Sequence, residues 1–448
     1  MLRPLRILLP ALLAFPGPGH GLWAQGTTRD SLPANWTLAQ CIAYADTNNI
    51  QITNLRLSTL SGEQDLLQAR AAKNPNLSGS LTQDFAHSNA VNPLGGPLQS
   101  ETNSSGNYSV NSQVTLYNGG YLNENIKAYG LLLTQSELNV AETRNSITLS
   151  ITGDFLNILL SRENIVYLQD LVTTSQAQLK QGQQLFSSGS MAKKDFVQLQ
   201  AQAATDQYSL ISAQNSMRLN QVALKELLEL PTGYDFQVAV PDTLIVEQAY
   251  PALPDAITLA ESTRPEVKSG ETGLALSQVF LEEERAQQRP SLSVGAGISS
   301  GYANTAPSKY FTQVGDNFYQ QVGLTLSIPF YSRRIYKTAI AKDQIAIQQA
   351  QLSLTGTRIT LDAEVEQAFV NLQNAQAQYI SAQTAFLASD TAYSITNEQF
   401  KLGSVNLVEL LQQKNLYTQA LQQYIQAKYT AILYDKIYKF YTGQPITL

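Results

Sequence analysis

Leu77-Ser78-Gly79-Ser80-Leu81-Thr82-Gln83-Asp84-Phe85 alternates along its length. In an extended chain Leu77, Leu81 and Phe85 share one face, and Ser78, Ser80, Thr82 and Asp84 share the other. Three further runs read the same way. Tyr108, Val110, Val114 and Leu116 alternate with Ser109, Asn111, Gln113 and Thr115. Leu292, Val294, Ala296 and Ile298 alternate with Ser291, Ser293, Gly295 and Gly297, and Val322, Leu324, Leu326 and Ile328 with Gly323, Thr325 and Ser327. The spacing predicts strands over 77–85, 107–117, 291–299 and 321–330. Runs of about 8–10 residues are the length a tilted strand needs to cross a bilayer. Aromatic residues gather near the run ends (Phe85, Tyr108, Tyr117, Tyr302, Phe318, Tyr319, Phe330 and Tyr331), as in the interfacial girdles of membrane barrels.

Four strands do not close a barrel, since about eight is the smallest number that does. Open sheet edges are not tolerated in lipid. Several chains must therefore share one barrel. The segments 86–107 and 301–320, rich in Asn, Gly, Ser and Pro, read as outer loops, with His87 in the first of them.

Export is expected from the N-terminus. Arg3 and Arg6 precede an apolar run from Ile7 to Phe15, and helix-breaking Pro16 to Gly19 follow. A signal peptide over 1–24, cleaved after Ala24, is the expectation, with a short N-terminal segment 25–36 behind it. Its removal lowers the basic count from 29 to 27 against 35 acidic residues, a net charge of about −8, which disfavours nucleic acid as a partner. Charged residues make up only 14% of the 448, below the roughly 25% usual in soluble domains, and Gln, Asn, Ser and Thr fill the difference. Cys41 is the single cysteine; no internal disulfide can form, and a buried structural role is expected for it.

The chain repeats itself. Phe186, Gly189 and Ser190 recur 214 positions later as Phe400, Gly403 and Ser404. Asn74-Pro75-Asn76-Leu77-Ser78 recurs as Arg289-Pro290-Ser291-Leu292-Ser293. Two copies of one unit, 37–230 and 254–441, are joined by a proline-marked connector 231–253 containing one short apolar strand, Phe236 to Val240, and followed by a tail 442–448. Ile151, Ile158, Ile165, Val172, Leu179 and Phe186 lie seven apart, and Val365, Leu372, Tyr379, Phe386, Tyr393 and Phe400 answer them in the second copy. A second series follows each Gly-Ser turn, starting at Phe196 and at Leu410. A strict seven-residue period implies helices coiled about their neighbours. Each copy thus predicts a long helical hairpin, 120–230 or 332–441, with its tip at 187–194 or 401–406. The rising arms lack proline and would reach roughly 100 Å at 1.5 Å per residue.

Signal region, duplicated helix–hairpin units and Pro-Xaa-Leu-Ser strands together resemble the TolC family of outer-membrane efflux proteins. The most specific pieces are Phe400-Lys401-Leu402-Gly403-Ser404-Val405-Asn406-Leu407-Val408-Glu409-Leu410-Leu411-Gln412, its fainter copy Phe186 to Gln198, and Arg264-Pro265-Glu266. The resemblance implies a mainly α fold with membrane β: a homotrimer whose four strands per chain make one 12-stranded outer-membrane β-barrel above a periplasmic α-barrel, with a small mixed domain at its waist. It implies two kinds of partner, a periplasmic adaptor (membrane fusion protein) and an inner-membrane pump of the RND, ABC or MFS type, and a passive exit duct for efflux or type I secretion. It also implies a periplasmic gate at Glu409, Gln412 and Phe400. Val405 stands where the family often has Arg, and Gln412 where it often has Asp. Adaptor docking is expected at the tips, on Phe186, Gly189, Ser190, Lys193, Lys194, Asp195, Gly403, Ser404, Val405 and Asn406. No enzyme and no cofactor are expected, because two histidines and one cysteine assemble neither a nucleophile–base pair nor a metal cluster. The alternative from a different class is a structural coiled-coil protein of the cell envelope.

Overall fold

A computed structural model describes residues 32–91, 98–241 and 250–448. The expected signal peptide 1–24, most of the segment 25–36 and part of the connector lie outside the described residues. The first copy of the unit runs β1 (Asn35–Trp36), α1 (Leu38–Asn48), α2 (Ile50–Ala71), β2 (Asn76–Val91), β3 (Leu98–Asn118), α3 (Tyr121–Ser187) and α4 (Lys193–Leu227). After β4 (Gln237–Val238) the second copy repeats it as α5 (Leu253–Thr263), α6 (Pro265–Gln287), β5 (Ser291–Ala303), α7 (Tyr310–Asp316), β6 (Tyr319–Ser327), α8 (Ile335–Lys401) and α9 (Leu407–Tyr441).

The helix starts follow local chemistry. Thr37 and Gln40 form a reciprocal capping box on α1, and the Asn49 side chain accepts from the backbone N–H of Gln51 and Ile52 to start α2. Pro265 takes the first position of α6, where its missing N–H costs nothing. α3 and α8 each have 67 residues, and α4 and α9 each have 35. At 1.5 Å per residue the return arms cover about half the long helices. α2 packs beside the remaining length of α3, and α6 lies between α3 and α8. Across the molecule the helices therefore run α2–α3–α6–α8, the same order as the strands β2–β3–β5–β6 that continue them.

Apolar side chains at the seven-residue spacing fill the hairpin seams. Stacked rings line the second one, with centroids 5.1 Å apart for Tyr393–Tyr417 and 5.0 Å for Phe386–Tyr424. The largest core lies at the waist, where Trp36, Cys41, Phe155, Leu224, Phe236 and Ile432 close over one another. The parallel pair β1–β4 sits on it. Cys41 is fully buried there, and burial pushes its thiol up to about 12, so it is an inert core residue at neutral pH.

Two features differ from the sequence reading. The strands run past the apolar alternation: β2 reaches Val91, β3 starts at Leu98 and β5 ends at Ala303, so most of 86–107 is ladder rather than loop. His87 is accordingly on a strand, bonded to Thr102 Oγ1 at 3.0 Å. The pairing needs only backbone N–H and C=O groups, so it continues where the side chains become polar on both faces. Second, the strand-to-helix junctions use left-handed backbone in both copies, but with different residues. Gly119 and Gly120 have φ of 69° and 97°; Arg333 and Arg334 have 46° and 70°. At Gly119 a Cβ would lie 2.2 Å from the Ala286 carbonyl oxygen, and the Arg289 guanidinium donates to the Gly119 carbonyl at 2.8 Å.

Candidate functional site

The four-stranded sheet has two chemically distinct faces, and its register shows how they arise. Leu81 pairs with Tyr108, Val110 with Ile298, Val114 with Val294, and Val294 with Leu324, which collects the apolar side chains of all four strands on one face. Ser80 with Ser109, Asn111 with Gly297 and Ser293 with Thr325 build a face of hydroxyls, amides and glycine. Leu81 is 85% and Val322 80% exposed; among the described residues only the short helix α7 packs on that face, over Ser300, Tyr302 and Tyr108 at its outer end. Exposed apolar area on this scale is unfavourable in water at about 25 cal/mol per Å² and favourable in lipid. Beyond Leu81 the same face mixes polar groups with the exposed ring of Phe85: Gln83, Ser104 and Tyr302 hydrogen-bond one another beside it, which marks the outer rim of the apolar band.

β2 and β6 are the sheet's edges, each with one side unpaired. The edge helices carry matching unpartnered stripes. Ile345, Leu352 and Ile359 of α8 are exposed at a spacing of seven, as are Ile380 and Leu387 further along. On the opposite edge Leu60 and Leu67 of α2, and Ile211, Leu219 and Val222 of α4, are exposed.

At the other end of the molecule the hairpin tips are two versions of one turn. The Ser190 N–H reaches back to the Leu185 carbonyl at 2.8 Å, and the Ser404 N–H to the Gln399 carbonyl at 2.9 Å, around Gly189 (φ 78°) and Gly403 (φ 74°). These are the helix-ending loops that need positive φ. Gly189, Ser190, Lys193, Lys194, Gly403, Ser404 and Asn406 are exposed, and Asp195 and Val405 half-buried. Phe186 stacks on Phe196 at 5.2 Å across the first hairpin. Asn406 caps α9 by accepting from the Glu409 N–H at 3.0 Å. The Glu409 carboxylate is thus exposed in a first helical turn, where the helix dipole favours it, and Gln412 is exposed one turn on. Phe400 sits elsewhere: it packs with Leu199, Tyr393, Leu407 and Leu410 in the joint between the two hairpins.

That joint holds residues the sequence reading passes over. Lys414 of α9 donates to Asp206 of α4 at 2.5 Å, with side-chain exposures of 1% and 6%. Gln202 donates to the second Asp206 oxygen at 2.9 Å. Burial lowers the Lys414 pKa, opposed by its bond to Asp206. Nearer the waist Lys428 and the Tyr429 hydroxyl both bind Glu163 of α3, and Gln178 donates to Asn397 between α3 and α8 at 2.9 Å. The signal is present in the sequence: Leu407, Leu410, Lys414, Tyr417, Leu421, Tyr424 and Lys428 follow a three–four spacing, so both lysines interrupt an apolar stripe.

The model of the outer membrane efflux protein family matches residues 42–229 and 256–432, well over half of the chain. The chain belongs to that family. The efflux protein is therefore a non-enzymatic transport protein of the outer membrane, reaching into the periplasm. Among curated relatives it is 23% identical to the outer membrane protein TolC of Salmonella enteritidis, over 86% of this chain and 83% of that one. It is also 23% identical to the pyoverdine export outer membrane protein OpmQ of Pseudomonas putida, over 64% of each; the chain thus spans 64% of OpmQ's length. Among solved structures, CusC superposes with a TM-score of 0.76 at 15% identity, covering 91% of this chain and 92% of that one. The CmeC channel of Campylobacter jejuni gives 0.75 at 17%, covering 98% and 94%. These likenesses establish the fold. Among the described residues no helix is long and apolar enough to cross a membrane, and no cluster of His, Cys, Asp or Glu could hold a metal ion.

Proposed function

We propose that three copies of this efflux protein form one exit duct: a twelve-stranded barrel in the outer membrane, continued by a helical tunnel through the periplasm. The observation that carries this reading is the sheet with an apolar face left open below α7 and two unpaired edges. In lipid each unpaired backbone group costs several kcal/mol, so β6 of one copy must pair with β2 of the next until the ring closes. The helices stand in the strand order, so closing the barrel brings the α8 stripe of one copy against α2 and α4 of its neighbour. Four strands per copy and three copies suit the channels of this family, which are trimers.

Such a tube is passive. Cargo reaches it from an inner-membrane pump of the RND, ABC or MFS class through a periplasmic adaptor, and the tips are the parts far enough from the membrane to receive that complex. Glu409 forms the gate ring in this reading, with Gln412 beside it, and Phe400 holds the inner hairpin's shape from behind. Native mass measurement of the detergent-solubilised protein tests the assembly. A threefold particle is expected. A stable monomer, or a mature protein that stays soluble without detergent, would overturn the reading in favour of an envelope rod.

A further inference from the structure

We propose that Arg333 and Arg334 bind the phosphate of anionic phospholipid headgroups in the periplasmic leaflet of the outer membrane. Three observations meet at this junction. The first is the backbone: two consecutive arginines hold left-handed φ angles of 46° and 70°. Glycine adopts that conformation freely and an L side chain does so at a cost. The first repeat shows that glycine serves, since Gly119 and Gly120 make the equivalent junction there. Arginine therefore stands at β6–α8 for its side chain and against its backbone preference.

The second observation is position. The junction follows Ile328 at the end of the apolar band from which the helices depart, which is the periplasmic interface. Phe330 and Tyr331 beside it are exposed in the single chain, where β6 is an open edge, and Tyr117 is exposed at the first junction, where β3 is flanked on both sides. Uncovered aromatic rings at the end of a lipid-facing band belong at headgroup level. The third is charge. Both arginines are exposed, and the carboxylates of Glu124 and Glu282, at the sheet-proximal ends of α3 and α6, are already engaged by Lys127 and Arg285. A guanidinium presents a fork of donors that fits phosphate, and anionic leaflets attract such groups by about 1 kcal/mol per charge in general. Lipid phosphate is the occupant continuous with the apolar band, whereas free phosphate would have no use for the exposed rings.

The experiment follows the thermal dissociation midpoint of the detergent-solubilised trimer on adding phosphatidylglycerol, phosphatidylcholine or inorganic phosphate. Phosphatidylglycerol is expected to raise the midpoint of the unmodified protein, and the other two are not. R333G/R334G keeps a backbone that favours this turn, so it should assemble with an equal or higher basal midpoint and lose the phosphatidylglycerol response. R333K/R334K should retain part of that response. The proposal fails if R333G/R334G responds to phosphatidylglycerol like the parent protein. It fails equally if phosphatidylcholine or inorganic phosphate matches phosphatidylglycerol. A lower basal midpoint for R333G/R334G in lipid-free detergent would show that the arginines hold protein instead.

Discussion

Lys414 and Asp206 tie the two hairpins together through a buried ion pair. Each is almost fully buried and each is the other's counter-charge, across α4 and α9 rather than within one hairpin. Removing one partner strands a buried charge, which costs about 3–5 kcal/mol. Lys414→Met should therefore lower the unfolding midpoint strongly, and adding Asp206→Leu to it should recover most of the loss. A double-mutant cycle in denaturant checks this; equal penalties for the single and double variants would show that packing, not charge, is at stake. Lys414 shows in the sequence as a break in an apolar stripe, which does not name its partner Asp206. A charge on a seam looks like a surface charge until the facing helix is known, and the facing helix comes from the other repeat. Glu409, by contrast, is legible as a position in a motif, yet the proposed ring would form only between copies. No single chain displays it.

At the scale of elements, the hairpins and strands are readable because each is built from a local period, seven for the coils and two for the sheet. Their limits are less so. Alternation reports which face meets lipid, and it stops at Phe85, whereas the β2–β3 ladder continues to the Val91–Leu98 pair because hydrogen bonding does not depend on side chains. The junction glycines follow a different rule again. Gly403 has φ 74° and open space where a Cβ would point, while Gly119 has φ 69° and the Ala286 carbonyl in the way. Gly403→Ala should thus cost only the left-handed penalty, about 1–2 kcal/mol. Gly119→Ala should cost clearly more and shift β3 against α6. Unfolding midpoints of the two variants, compared side by side, test the ranking.

For the whole molecule, the gate proposal gives the sharpest electrical prediction. Three Glu409 carboxylates near the axis of a narrow mouth raise the local cation concentration, and salt screens the effect with a Debye length of roughly 8 Å at physiological strength. Glu409→Ala should lower cation selectivity in single-channel recordings and relieve block by trivalent cations. Asp195→Ala, in the first hairpin, should alter both less. The reverse ranking would mean that the first hairpin, not the second, faces the axis.

The offset between two hairpins of equal length sets the shape of the far rim. Both long helices have 67 residues and both return arms 35, yet Asp206 of α4 meets Lys414 of α9 and Gln178 of α3 meets Asn397 of α8, which places the first tip about 8 Å beyond the second at 1.5 Å per residue. In a threefold assembly three Lys193-Lys194 tips would stand beyond three Ser404-Val405 tips. A docking protein would then meet the basic tips first and the neutral ones behind them. Deleting one heptad from each arm of the first hairpin would bring the two kinds of tip nearly level.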